Sequence, residues 1–435
     1  MQNNIISQEA VNEKLREASI SDMDSASIRD IVKVTNLLAK STGTEFIRME
    51  MGVPGLPPSE LATNAEIEAL KKGAAQFYPM LEGLPDLAKE TSRFIKNFMD
   101  IDIKAEHIAP TVGAMQATYC AFMAVTELQK GKDTVLFIDP GFSVQKTQLE
   151  VLGKPYETFD IYAYRGEKLR AKLEEYLKKG NICAVVYSNP NNPTWVSFTD
   201  EELRIIGELS NQYDFIVLED LAYFAMDFRK DISKPGKPDF QPTAAKYTDN
   251  YFIFISSSKL FSYAGQRLGL ICISDALYDK KYPHLKERFN SDKLGYTILY
   301  KLIYTMTSGT AHSPQYAMAA VLKAANDGTL DIQKEVKEYG NRAHAMKNLF
   351  TDNGFEIVYD KDGDENIGDG FYFTIGYPGM KGGDLAKELL HYGISALPLK
   401  SFGSEKEALR ACTSQTSMEQ MDILKERLER FAKDH

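Results

Sequence analysis

YFIFISSSKLFSYAGQRLGLICIS, residues 251–274, carries two short apolar runs, FIFIS (252–256) and LGLICIS (268–274). Ser256-Ser257-Ser258-Lys259 stands at the end of the first run, and Arg267 lies eight residues beyond the lysine. Runs of this length, rich in β-branched and aromatic residues, read as buried strands. Upstream lie TVLFID (134–139), CAVVYS (183–188) and FIVLED (215–220), alternating with amphipathic helical stretches from about Ala109 to Ile273. Near-continuous apolar strands alternating with helices predict an α/β architecture, a mostly parallel sheet sandwiched by helices. Ligands of such sheets bind beyond the carboxyl ends of the strands. The residues found there are polar: Pro140-Gly141-Phe142, then Asn189-Pro190-Asn191-Asn192-Pro193-Thr194, then Asp220 with Tyr223 three residues on. Thr111-Val112-Gly113-Ala114-Met115-Gln116 opens an apolar helical stretch whose first backbone N–H groups suit an anion.

The flanks read differently. A helix from about Asp331 to Phe350 is followed by FEIVYD, GFYFTIGY, a helix near 383–391, ISALPL, EALRACTS and a charged final helix from about Met418. Near the N-terminus, Ile28, Ile31, Val34 and Leu38 have helical spacing, Gly43 closes that helix, and GVPGLPP (52–58) marks a crossing segment. These pieces predict a smaller α/β domain built from both termini, residues 1–55 and 316–435, beside a large domain of residues 56–315.

Composition narrows the function. The 435 residues are 43% hydrophobic and 26% charged, as in globular proteins, and their net charge of −10 disfavours nucleic acid or an anionic membrane as the main partner. Cys120, Cys183, Cys272 and Cys412 lie far apart without ligand-like spacing, so no disulfide framework and no metal site is expected, and a reducing, cytoplasmic setting fits. MQNNIISQEAVNEK has no basic patch followed by an apolar stretch, so no secretory leader is expected.

Taken together, SSSKLFSYAGQRLG, NPNNPT and Asp220-x-x-Tyr223 resemble, in order and spacing, the motifs of the class I and II aminotransferases, the aspartate-aminotransferase-like family of fold type I pyridoxal phosphate enzymes. The resemblance spans nearly the whole chain. It implies pyridoxal 5′-phosphate as cofactor, with Lys259 forming the Schiff base and shuttling the proton, and Asp220 keeping the pyridine nitrogen protonated. The phosphate would be held by the amides of Gly113, Ala114 and Met115, by Ser256 or Ser258, and by Arg267. Phe142 matches the aromatic residue that stacks on the ring, and Asn192 and Tyr223 match the partners of its phenolic oxygen. Arg410 in EALRACTS matches the clamp on the substrate α-carboxylate, Asn192 and Gly52 lie beside it in the family, and DGFYF (369–373) resembles a glycine-aromatic segment of the small domain. Tyr78 matches a tyrosine that reaches the phosphate of a neighbouring subunit, which implies a homodimer with shared active sites.

Taken singly, these residues have plainer readings. Lys259 would be a solvated lysine, Asp220 a helix cap, Gly113 a helix-start glycine, Asn192 a turn former, Phe142 and Tyr78 packing aromatics, and Arg410 a surface arginine on an edge strand. The apolar runs before Lys259 and Asp220 oppose those readings, because an unpaired charge in the interior is costly. The expected function is transfer of an amino group from an amino acid to a 2-oxo acid by ping-pong chemistry. A C–S β-lyase on the same scaffold is the alternative, and a non-catalytic pyridoxal phosphate-binding protein is a lesser one. One departure stands out: relatives commonly carry glycine after NPNNPT, where this chain has Trp195, its only tryptophan, and the altered loop could border the substrate. Arg288, beside Lys286 and Glu287, reads as a helix-surface residue rather than a second carboxylate site.

Overall fold

The computed structural model describes residues 4–435, so the first three residues of the expected 1–55 segment lie outside it. The chain divides into two compact units. One comprises Pro57–Asn191 and Ser197–Val336; the other comprises the described residues up to Leu56, Asn192–Val196 and Lys337–His435.

The larger unit is built on seven strands: β1 (Ile108–Val112), β2 (Thr134–Asp139), β3 (Tyr156–Asp160), β4 (Ile182–Ser188), β5 (Ile216–Leu221), β6 (Tyr251–Ser256) and β7 (Leu268–Ile273). Their order across the sheet is β1-β7-β6-β5-β4-β2-β3. Strands β2 to β6 run parallel, while β7 is antiparallel to both β6 and β1. The reversal has a local cause: the chain between β6 and β7 is too short for a helical crossover, so the strand must return antiparallel. Val135, Phe137, Ala184, Val186, Ile216, Leu218, Phe252 and Phe254 form a buried cluster with Ala117, Cys120, Ala121 and Val125 of the helix Gly113–Val125. By the two-residue alternation of a strand, Asp220 shares the face of Ile216 and Leu218, and Glu219 points to the opposite face.

The helix His312–Asn326 packs on Glu60–Lys71 and Pro85–Met99 within this unit. Gln315 Oε1 accepts from the Leu84 N–H at 2.9 Å, and Ser313 Oγ donates to Glu66 Oε1 at 2.9 Å. The expected boundary at 315/316 thus falls inside this helix, whereas the units divide between Val336 and Lys337. The helix expected from about Asp331 begins at Glu338, because the Asp331 carboxylate accepts from the N–H groups of Gln333 and Lys334 and closes a turn.

The smaller unit holds an antiparallel sheet of β8 (Glu356–Ile357), β9 (Tyr372–Gly376), β10 (Leu397–Pro398) and β11 (Leu409–Cys412), in the order β10-β11-β9-β8. The N-terminal segment joins it: Ile47–Arg48 pairs in parallel with Ile394–Ser395, and the Cys412 N–H donates to Met49 O at 2.9 Å. The helix Ile28–Thr42 has a capping box of Ser27 and Asp30 at its start and Gly43, φ 69°, at its end. Among the described residues no helix is long and apolar enough to cross a membrane, no group of side chains could hold a metal ion, and the four cysteines are buried and free.

Candidate active site

In the larger unit the segment after β6 is pinned from within. Ser257 Oγ donates to Leu268 O at 2.7 Å, the Ser257 N–H donates to the same carbonyl at 3.1 Å, and the Tyr263 N–H donates to Ser257 O at 3.0 Å. Half-buried Lys259 stands in this turn, and its carbonyl accepts from the Ser262 N–H at 3.2 Å. Ser256 is buried at the end of β6 and its Oγ accepts from the N–H of half-buried Ser258 at 3.2 Å. Ser256 also pairs across the sheet with Gly269 of β7.

Gly269 brings that edge against the start of the helix Gly113–Val125. A Cβ there would lie 2.5 Å from Ala114 N and 2.6 Å from Gly113 C, so no larger residue fits without moving backbone. Gly113 has φ +66° and donates its N–H to Arg267 O at 2.9 Å. A Cβ on Gly113 would lie 2.5 Å from Arg267 Nη2, so the guanidinium rests on the glycine. No side chain caps this helix, which leaves the amides of its first turn, Ala114 and Met115 among them, available to an anion. The structure thereby brings together Gly113, Ala114, Ser256 and Arg267 of the expected phosphate group, but the Gly113 N–H, expected to face the anion, is already given to Arg267 O.

Asp220 ends β5 and is buried. Gln145 Nε2 donates to its Oδ2 at 2.8 Å and the Ala222 N–H donates to its Oδ1 at 3.1 Å. Burial pushes its carboxyl up to about 6, opposed by these two hydrogen bonds. No cation lies within ion-pair distance of it among the described residues. Half-buried Phe142 precedes the helix Ser143–Leu152, and its carbonyl accepts from the Gln145 N–H at 3.1 Å. Tyr223 is buried three residues past Asp220. Two residues of this region escaped the sequence reading. Gln145 is one; its only signal is its place in the first turn after Pro140-Gly141-Phe142. The other is Asp139, whose Oδ2 accepts from Lys146 Nζ at 2.5 Å and whose carboxyl burial pushes up to about 6 against that cation. Tyr78 stands apart at 90% exposed, next to exposed Phe77 and Met80.

In the smaller unit, Arg410 of β11 is only 1% exposed. Its Nη2 donates to Glu50 O at 2.7 Å and its Nη1 to Asn192 Oδ1 at 3.2 Å. The guanidinium carbon lies 4.5 Å from the ring centroid of Tyr372 and 5.3 Å from that of Phe402. Its Nε is buried without a hydrogen-bond partner, and among the described residues no carboxylate lies within ion-pair distance. Nearby Glu50 spends its carboxylate on Arg48, at 2.5 Å, and on Ser395 Oγ, at 2.5 Å. Gly52 stands beside Arg410: a Cβ there would strike the Tyr372 hydroxyl and lie 3.6 Å from Arg410 Nη2.

Trp195 does not border open space. Its side chain is fully buried and occupies the room left by the missing side chain of Gly370, in the DGFYF segment. Arg288, on the helix Pro283–Phe289, is exposed and pairs with Glu127, as a surface residue does.

The chain matches the family model described as aminotransferase class I and II over residues 44–428. It is similar to YugH, a Bacillus subtilis (strain 168) protein assigned as an aminotransferase, with 26% identity over 409 residues, 92% of this chain and 95% of that one. It is also similar to the aspartate aminotransferase of Pyrococcus horikoshii, with 27% identity over 243 residues, 55% of this chain and 59% of that one. Among solved structures, the alanine aminotransferase from Pyrococcus furiosus shares the fold with a TM-score of 0.75 at 20% identity, covering 96% of this chain and 99% of that one.

Proposed function

Because the chain belongs to the class I and II aminotransferases, we propose that it moves an amino group from an α-amino acid to a 2-oxo acid with pyridoxal 5′-phosphate held in the larger unit, as a homodimer in the cytoplasm. The observation that carries this reading is a pair of buried, uncompensated charges of opposite sign: Asp220 without a cation and Arg410 without a carboxylate. A folded chain gains nothing from burying a lone charge. A protonated ring nitrogen answers the first and a substrate carboxylate answers the second.

The donors of the larger unit fit the cofactor's phosphate: the uncapped amides of Ala114 and Met115, the hydroxyls of Ser256 and Ser258, and Arg267, with Gly113 leaving room for that guanidinium. When bound, pyridoxal phosphate supplies an aldehyde that captures amino groups and a ring that takes up the electron pair left at the substrate Cα. Lys259 Nζ would be the amine that holds the cofactor's aldehyde carbon and the base that would move the proton between the substrate Cα and that carbon. Asp220, kept in place by Gln145 and the Ala222 N–H, holds the proton on the ring nitrogen. Phe142 would cover a ring face, and Asn192 and Tyr223 would be the partners of the phenolic oxygen. Arg410 binds the α-carboxylate bidentately, and the missing side chain of Gly52 lets backbone approach it. Exposed Tyr78, with Phe77 and Met80, supports a second copy covering that surface, where the tyrosine would reach the partner's phosphate. Free, buried thiols support a reducing compartment.

The test is spectroscopic. Purified protein is expected to carry a visible cofactor band that a productive amino acid bleaches in the absence of an oxo acid, and Lys259→Ala is expected to lose the band and about 10⁴-fold of the activity. A band retained in that variant would overturn the role of the lysine. Pyruvate and ammonia released from a β-substituted amino acid, with no donor bleaching the band, would replace transamination by β-elimination.

A further inference from the structure

Trp195 pays for its place. Its backbone has φ +67°, a left-handed conformation that glycine adopts freely and that a side chain with a Cβ resists. Such strain persists only where the surroundings repay it, so the indole has work to do. It is fully buried, it fills the room above Gly370, and it meets the ring of Tyr372 edge-on, with centroids 6.3 Å apart at 68°. Tyr372 in turn lies against the Arg410 guanidinium at 4.5 Å, and its hydroxyl occupies the space left by Gly52. Every member of this row belongs to the smaller unit.

We propose that Trp195 is a positioning residue for the carboxylate clamp: it wedges the Tyr372 ring against the Arg410 guanidinium and so holds the two N–H groups that meet the substrate in register. The assignment rests on the reading of Arg410 as the carboxylate site. The physical reason is the sparseness of the arginine's own restraints. Its hydrogen bonds run to Glu50 O and Asn192 Oδ1, its Nε has no partner, and no carboxylate fixes its plane. Those two hydrogen bonds restrain the guanidinium within its plane, and restraint against tilting out of it falls to the aromatic faces, of which Tyr372 is the nearer. An aromatic face holds a guanidinium only while the ring itself is held, and the edge of Trp195 holds it.

The experiment measures binding of an unreactive carboxylate, hexanoate, to the loaded enzyme by calorimetry, alongside steady-state kinetics. Trp195→Gly, which relieves the backbone but removes the wedge, is expected to weaken hexanoate and raise KM for the amino acid about tenfold, with kcat changed less than about threefold. Trp195→Phe, which keeps an aromatic edge, is expected to stay within about twofold of the parent. Tyr372→Leu is expected to show the same loss, and adding Trp195→Gly to it to cost nothing more, since both act through one contact. If Trp195→Gly does not fold, Trp195→Leu carries the same expectation. A variant whose melting temperature falls while its hexanoate affinity and KM stay unchanged would overturn the proposal, and additive losses in the double variant would do the same. Arg410→Lys separates the two levels: unchanged hexanoate binding there overturns the carboxylate reading itself, whereas weakened binding there with none in Trp195→Gly overturns only the wedge.

Discussion

Arg267 and Arg410 are both assigned to anions, yet the chain holds them in opposite ways. Arg267 is exposed, sits in a left-handed turn, and is placed by backbone: its carbonyl accepts from Gly113, its Nη1 donates to Ala264 O at 2.9 Å, and its guanidinium rests where Gly113 has no side chain. Arg410 is buried on a strand, tied to Glu50 O and Asn192 Oδ1, with rings on its faces and, among the described residues, no carboxylate within ion-pair distance. An exposed cation costs little when its ligand departs, so glycines suffice to locate it. A buried cation costs most when its ligand departs, so the interior must be shaped around it.

Arg410→Ala breaks the buried side of this contrast and has the largest expected effect. Loss of a buried charge-assisted pair is worth about 2–5 kcal/mol, so KM for every amino donor should rise on the order of 10²-fold or more, while the visible band persists. Steady-state kinetics across several donors checks this, and a donor-independent KM near the parent's would remove Arg410 from the site.

Glu219 sharpens the contrast, as a buried carboxyl whose partners are all protein. It lies on the sheet face opposite Asp220, Thr243 Oγ1 donates to its Oε2 at 2.5 Å, and burial pushes it from 4.5 up to about 7. A carboxyl raised on folding favours the protonated native state, so its stabilisation is complete below about pH 4.5 and is lost as pH rises through about 7. Asp139 and Asp220, each raised to about 6, act in the same direction at the lower end of that window. Denaturant titrations of cofactor-free protein should show stability falling across the window, with about 3 kcal/mol of the fall absent in Glu219→Gln. An unchanged slope in that variant would show that Glu219 is not the titrating group.

Gly269→Ala tests the exposed side. Its Cβ would meet the backbone of Gly113 and Ala114, and overpacking of this kind costs about 1–3 kcal/mol. Both the melting temperature and the cofactor affinity should fall, because β7 and the helix start move apart together. Full cofactor affinity in a destabilised variant would separate Arg267 from the phosphate. Arg288→Ala should do least: an exposed pair with Glu127 is worth about 0–1 kcal/mol, and KM for dicarboxylic donors should not move.

The parallel strands, the carboxyl-end motifs and the flanking small unit were legible in the chain because they depend on local pattern: apolar runs with period-two burial, turn residues at their ends, and an ordered set of motifs. Asp220 and Lys259 follow such runs, which is what makes them stand out in the sequence as candidates. Gln145 was not, since a glutamine in a helical first turn carries no mark of the carboxylate it meets across 75 residues. The helix expected from Asp331 starts at Glu338 for a similar reason, because apolar spacing does not report a side chain that closes a turn of its own.

Trp195 shows where the division falls. Its departure from glycine was visible as a single letter, and that letter suggested a loop facing substrate. Only the folded chain reveals Gly370, 175 residues later, vacating the space the indole fills, and the tyrosine beyond it that meets Arg410. Strand identity and motif order are set by neighbours along the chain, so sequence alone determined them. The partner of a buried charge or ring is chosen by packing between distant segments, so only the tertiary structure decided which side chains hold Asp220 and Arg410, and that neither has a partner of opposite charge among the described residues.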